Sequence, residues 1–232
     1  IAVLQMCSGI DPERNFDTIR DAAFAAREGG AEMLFTPEMS LLLDRDRARA
    51  ERHIASEAES SYVAMFANLA EEQDLYIAIG SMAVAVDGGK NANRSMVFWP
   101  SGEPPVTYDK IHMFDVDLAT GESWRESNAY EPGREVVTVE DTPIGRLGLA
   151  VCYDLRFPAL WGALGDRACD AIALPAAFTR PTGAAHWHVM LRARAIEAQA
   201  FVIAAAQVGR HEDGRETYGH SIVVDPWGEV LL

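Results

Sequence analysis

The chain has 232 residues, 49% of them apolar, and sets 20 Lys and Arg against 35 Asp and Glu, for a formal net charge of −15. That length suits one large domain with a substantial core, and no linker divides it. The acidic balance argues against nucleic acid or an anionic membrane surface as partner, and no apolar run is long enough to cross a bilayer.

Three cysteines, Cys7, Cys152 and Cys169, are too few for a disulfide framework, and none has zinc-ligand spacing. This fits a reducing, cytoplasmic compartment, with Cys7 and Cys169 read as inert core thiols. No signal peptide precedes the first strand. The sequence opens on Ile1 and stops at Val230-Leu231-Leu232, so it reads as trimmed at both ends.

Residues 1–6 read as a buried strand. Asp11 and Pro12 fit a helix cap and first helical position, Phe16, Ile19, Ala23 and Ala26 recur at helical spacing, and Gly29-Gly30 ends the helix. Met33-Leu34-Phe35 is a short strand, so the first unit is strand–helix–strand and favours parallel pairing. Residues 41–49 read as a loop. A longer helix follows, with Ile54, Tyr62, Met65, Phe66 and Leu69 on one face.

Residues 75–86, 93–99 and 106–109 read as strands separated by the turns Asp87-Gly88-Gly89-Lys90 and Ser101-Gly102-Glu103-Pro104, a run of hairpins. Residues 110–134 are long and irregular, and such loops are usually functional or disordered. Strands are expected at 136–139 and 147–151, a short helix at 158–166, a strand at 171–174, a helix at 188–198 and a strand at 201–206. A last hairpin turns at Asp225-Pro226-Trp227-Gly228.

Three strands end in residues that can do chemistry together: Glu38, Lys110 and Cys152. In open α/β architectures, sites gather at the carboxyl ends of strands. Cys152 closes an apolar strand just before Asp154 and Pro158 mark a helix start. Helix N–H groups favour thiolate over thiol there. A carboxylate can take the thiol proton, and a lysine can lower the thiol pKa and hold an oxyanion.

Three motifs stand in order: Phe35-Thr36-Pro37-Glu38, Tyr108-Asp109-Lys110-Ile111-His112, and Gly148-Leu149-Ala150-Val151-Cys152-Tyr153-Asp154. Together they resemble the nitrilase superfamily, the carbon–nitrogen hydrolases with a Glu–Lys–Cys triad, along essentially the whole chain. The resemblance implies an α/β fold, a four-layer α-β-β-α sandwich, with members that commonly pair into homodimers. It implies Glu38 as general base, Lys110 as oxyanion-stabilising cation and Cys152 as nucleophile, with the Tyr153 N–H completing the oxyanion site. The family's second glutamate falls on Glu126, in Trp124-Arg125-Glu126-Ser127 before Pro132-Gly133, with Glu122 as the alternative. No metal or organic cofactor is implied.

Residues 178–188, Arg192 to Glu197 and Tyr218-Gly219-His220-Ser221 resemble the amidase branch that includes deaminated glutathione amidase and ω-amidase. The activity implied is hydrolysis of a small linear amide, with release of ammonia. Arg156, Phe178 and Thr179 are candidates for the pocket lining. A nitrilase and an N-carbamoyl amino-acid hydrolase share the triad, and the fold can also serve as a non-catalytic interaction module. The histidines of His186-Trp187-His188 lie two apart with no carboxylate partner, which speaks against a metal site. Arg194 and Glu197, three apart on a helix, read as a structural ion pair.

Overall fold

The computed structural model describes residues 1–117, 121 and 123–232, so Glu122 lies outside the described residues. The first half runs β1 (Ala2–Val3), α1 (Pro12–Glu28), β2 (Met33–Phe35), α2 (Arg47–Ala50), α3 (Ser61–Gln73), β3 (Tyr76–Ala85), β4 (Asn91–Phe98) and β5 (Val106–Asp109). These strands form a sheet in the order β1-β2-β3-β4-β5. Helical crossovers make the first two pairings parallel, and tight turns make the last two antiparallel. α1 begins where expected: the Asp11 carboxylate accepts from the N–H groups of Glu13 and Arg14, and Pro12 needs no partner in the first turn.

A hairpin, β6 (Asp115–Asp117) and β7 (Ser123–Arg125), leads into the second half. There follow β8 (Thr138–Thr142), β9 (Gly145–Leu149), α4 (Pro158–Asp166), β10 (Ala171–Ala173), α5 (Arg180–Ala198) and β11 (Phe201–Ala204). The chain ends with β12 (Val208–Arg210), β13 (Glu216–Tyr218) and β14 (Ile222–Val224). The second sheet has the order β14-β11-β10-β9-β8, with β9, β10 and β11 parallel.

Alternation along the strands builds the layers. In the first sheet Leu34, Ile77, Ile79, Met96 and Phe98 pack against Phe16, Ile19 and Ala23 of α1 and Phe66 and Leu69 of α3. Their neighbours Met33, Phe35, Ala78, Val97 and Tyr108 join the core of the second sheet, with Leu147, Leu149 and Ala173. A strand presents successive side chains to opposite faces, so each strand feeds two cores. Trp161 of α4 and Trp187 of α5 are buried behind the second sheet. The result is the helix–sheet–sheet–helix sandwich that the resemblance implied.

Several boundaries differ from the sequence reading. α5 begins at Arg180, eight residues before the expected start. Pro181 sits in its first turn, where no N–H is required, and Gly183 lies against the Tyr218 ring, where a Cβ would meet Cγ at 2.3 Å. Both residues look like helix breakers only when that packing is unseen. Residues 41–49 end in the short α2, capped by Asp46, and Ile54 precedes α3. The 110–134 stretch contains the β6–β7 hairpin. The first strand shrinks to Ala2–Val3, with Met6 bridging to Gln207. Cys7 is exposed, not a core thiol; its Sγ lies 3.6 Å from the Arg210 carbonyl oxygen. Cys169 is buried as expected.

Candidate active site

Each of the three motif residues follows a strand. β2 hands over to Thr36-Pro37-Glu38, and that turn is pinned from several sides. The Gly80 N–H donates to Thr36 Oγ1 at 3.0 Å, the Met39 N–H to Ser81 Oγ at 2.9 Å, and Gln207 Nε2 to the Glu38 carbonyl at 3.1 Å. Met39 takes a left-handed backbone, φ 52°, that a non-glycine residue adopts only when its surroundings hold it there. Lys110 follows β5, its N–H donating to the Asn93 carbonyl at 2.9 Å and its carbonyl accepting from Gly133 at 2.8 Å.

Cys152 opens a 3-10 turn, Cys152–Arg156, after β9. Its backbone is also left-handed, φ 49°, and its N–H donates to the Pro175 carbonyl at 2.9 Å. The next N–H, that of Tyr153, has no hydrogen-bond partner among the described residues, as the leading donors of a helical turn lack an internal acceptor.

The side chains converge in one cleft of about 1020 Å³ lined by Glu38, Lys110, Glu126 and Cys152. Lys110 is 2% exposed, Glu38 5% and Cys152 8%. Lys110 Nζ donates to Glu38 Oε1 at 3.0 Å and to both Glu126 oxygens, at 3.1 and 2.9 Å. The second Glu38 oxygen accepts from the Ala177 N–H at 2.9 Å, and Glu126 Oε2 accepts from the Phe114 N–H at 2.6 Å. Both carboxylates are thus fixed by charge-assisted bonds.

Burial by itself would drive the Lys110 ammonium toward neutrality. Glu126 and then Glu38 outweigh that and hold it well above the ordinary lysine range, so it stays charged. Cys152 goes the other way from the expectation. Burial, and then the adjacent Glu38 carboxylate, push its thiol well above the ordinary range; the pull of Lys110 is weaker. At Cys152 a neutral thiol therefore stands beside a carboxylate. The leading N–H groups of a short turn do not offset complete desolvation of a sulfur anion.

Sequence reading missed Asn93. It is buried on β4, and its Nδ2 donates to Glu38 Oε1 at 3.0 Å and Glu126 Oε1 at 3.1 Å. The opposite amide orientation would face an oxygen to two carboxylates, so the assignment is fixed by charge. The signal was an asparagine inside a buried strand, where that residue type is rare. Also missed was a basic wall: the Arg45 and Arg215 guanidinium carbons each lie 5.5 Å from the Trp124 ring centroid, and Arg180 and Arg210 line the same cleft.

Thr179 lines this cleft, but Arg156 and Phe178 do not. They surround a neighbouring cavity of about 20 Å³ that touches Cys152, Tyr153 and Thr182. Arg156 is occupied there, over the Phe178 ring at 5.6 Å and with Nη2 3.2 Å from His186 Nδ1. Arg194 and Glu197 form the expected ion pair at 2.6 Å, with Arg194 Nε also donating to the Leu155 carbonyl. Among the described residues no three His, Cys, Asp or Glu side chains gather as a metal site, and no helix is long and apolar enough to cross a membrane.

Comparison with known proteins agrees with the geometry. The carbon-nitrogen hydrolase family model matches residues 1–232. The deaminated glutathione amidase of Yersinia enterocolitica is 42% identical over 234 residues, covering 100% of this chain and 81% of that protein. The deaminated glutathione amidase of Homo sapiens is 38% identical over 235 residues, covering 100% of this chain and 72% of its own length. The crystal structure of the C. elegans NitFhit protein superposes with a TM-score of 0.89 at 35% identity, over 99% of this chain and 56% of that one. The chain therefore belongs to the carbon-nitrogen hydrolase family and is an amidase-type enzyme of it.

Proposed function

We propose that Cys152 is the nucleophile of this amidase, Glu38 its general base, Lys110 its oxyanion-stabilising cation and Glu126 the second carboxylate that holds Lys110 charged. The observation that carries this reading is a buried ammonium bonded to two carboxylates beside a buried thiol in one cleft. Glu38 takes the thiol proton as sulfur attacks the amide carbon, which suits a thiol neutral at rest. The tetrahedral oxyanion is held by Lys110 Nζ and the Tyr153 N–H. Collapse breaks the C–N bond, and Glu38 returns the proton to the leaving nitrogen, releasing ammonia and leaving a thioester. A water then gives a proton to Glu38 and its oxygen to the acyl carbon. Breakage of the C–S bond releases the acid, and the proton returns to sulfur. No step calls on a cofactor.

The substrate we propose is a small linear amide that carries a carboxylate. Arg45, Arg180, Arg210 and Arg215 line the cleft, where seven Lys and Arg stand against five Asp and Glu, a balance opposite in sign to the net charge of the chain, and clefts focus such fields onto ligands. The names of the relatives, deaminated glutathione amidases, support the same class. Arg156 and Phe178 shape the wall behind Cys152, and Thr179 borders both cavities.

The 232 residues act as one domain, a reading supported by the span of the family model. A homodimer or higher homo-oligomer is supported by exposed apolar residues on one side of α5, Val189 and Ile196, beside Trp227, which is 84% exposed. Three free cysteines support a cytoplasmic location.

The test is a panel of ω-amides, deaminated glutathione, N-carbamoyl amino acids and nitriles, read by ammonia release. Turnover of carboxylate-bearing amides, abolished by Cys152→Ala, is expected. Steady-state turnover in purified Cys152→Ala would falsify the nucleophile assignment. Carbon dioxide among the products, or turnover of nitriles but not amides, would move the enzyme to the carbamoylase or nitrilase reading.

A further inference from the structure

Behind the cleft lies a buried carboxylate that the mechanism does not use. Asp154 is completely buried, two residues after Cys152. Its Oδ2 accepts from the Val151 N–H at 2.9 Å, which closes the turn on which the cysteine sits, and from Tyr108 Oη at 2.7 Å. Its Oδ1 accepts from the His112 N–H at 3.0 Å and pairs with His112 Nδ1 at 2.6 Å.

Tyr108 and His112 flank Lys110, two residues to either side. They belong to β5 of the first sheet and the segment just beyond it, whereas the cysteine turn follows β9 of the second. A helix cap needs only one of these bonds. The other three cross from one sheet to the other. The His112 ring also stacks on Phe157, centroids 3.6 Å apart, directly after the turn. The turn's other anchors, Trp161 Nε1 on the Asp154 carbonyl at 3.1 Å and Arg194 Nε on the Leu155 carbonyl at 2.9 Å, come from α4 and α5 and say nothing about Lys110.

We propose that Asp154 is a positioning residue whose carboxylate ties the Lys110 segment to the Cys152 turn, and so sets where the ammonium stands relative to the sulfur. The inference rests on the reading of Cys152 as nucleophile and Lys110 as oxyanion cation. The two residues sit on different sheets, and nothing covalent near the site fixes their separation. The three bonds that Tyr108 and His112 make to that carboxylate do so, because each bond to a charged group is stronger than a neutral one. A displacement of about 1 Å between reacting groups costs on the order of 10²-fold in rate.

The experiment measures kcat and KM for an accepted amide, with each variant well below its own Tm and folded by circular dichroism. In Asp154→Asn, kcat is expected to fall by ~10²-fold with KM nearly unchanged. A role in stability alone would lower Tm and leave kcat intact at that temperature. If Asp154→Asn does not fold, the double variant Tyr108→Phe/His112→Phe keeps the carboxylate, its bond to Val151 and the ring stack, but cuts both side-chain ties. Its kcat is expected to fall by at least ~10-fold at constant KM. A folded variant with wild-type kcat overturns the proposal and leaves the nucleophile assignment standing. Turnover that survives Cys152→Ala overturns both.

Discussion

Replacing Lys110 by methionine tests the electrostatics of the site without any knowledge of the substrate. The side chain stays unbranched, one heavy atom shorter, and loses its charge. In the native enzyme Nζ lies 3.0 Å from Glu38 Oε1 and 3.1 Å from Glu126 Oε1, so those two oxygens are at most about 6 Å apart. With the ammonium gone, two like charges at that separation repel by about 3 kcal/mol at an effective dielectric constant near 20. The whole loss falls in the range of about 3–5 kcal/mol found when one partner of a buried pair is removed. Against a total stability of about 5–15 kcal/mol this is a large fraction. Equilibrium urea denaturation of wild type, Lys110→Met, Glu126→Gln and the double variant separates the terms. The double variant has lost more native groups than Lys110→Met. It is nevertheless expected to be more stable, by about 3 kcal/mol, because one of the two clashing charges is gone. A double variant no more stable than Lys110→Met would refute the reasoning and show that lost contacts, not repulsion, set the cost. Activity is expected to fall in Lys110→Met by at least ~10²-fold, the scale of one oxyanion donor.

Asn93→Ala removes the donor shared by Glu38 and Glu126; a loss of about 2–4 kcal/mol on denaturation is expected from two bonds to charged groups, with kcat reduced. Wild-type stability and kcat in that variant would show the amide to be idle. Gly80→Ala would place a Cβ 2.1 Å from the Thr36 carbonyl oxygen and 2.4 Å from that of Pro37, so the turn carrying Glu38 must shift. A cost of about 1–3 kcal/mol and a loss of activity are expected, while Gly162→Ala, which meets open space, serves as the neutral control. Alkaline pH is the fourth test. Burial pushes the thiols of Cys152 and Cys169 up, the latter to about 11, and burial together with Asp154 raises the Tyr108 phenol. A group whose folded pKa is raised contributes stability that is complete below its unfolded pKa and is lost as pH rises through the folded value. Tm is therefore expected to fall steadily above about pH 9, and less steeply in Cys169→Ala; a flat Tm there would contradict the burial argument.

Much of the candidate site was legible because its parts follow strands with short apolar signatures and because three short motifs, taken together, resemble one family; no single residue would have sufficed. Met33-Leu34-Phe35 before Glu38, and Leu147-Gly148-Leu149 before Cys152, mark strand ends, and strand ends carry reactive groups in this class of fold. Asn93, Asp154 and the arginines around Trp124 were not legible as site groups. Nothing in the run Asn91-Ala92-Asn93 says that two glutamates, 55 residues before Asn93 and 33 after it, will share its amide. The start of α5 was missed for a related reason. Pro181 and Gly183 contradict a helix on local propensity, and only the ring of Tyr218 explains why the glycine is there.

Local order along the chain determined the elements, because apolar period and turn residues act between near neighbours. It also determined which residues have reactive side chains. Their protonation was decided elsewhere. Whether Cys152 rests as thiol or thiolate depends on how much water reaches its sulfur and on a carboxylate 114 residues away in sequence. Desolvation and charge act through space, and no pattern of neighbours along a chain encodes that distance until two sheets have packed face to face.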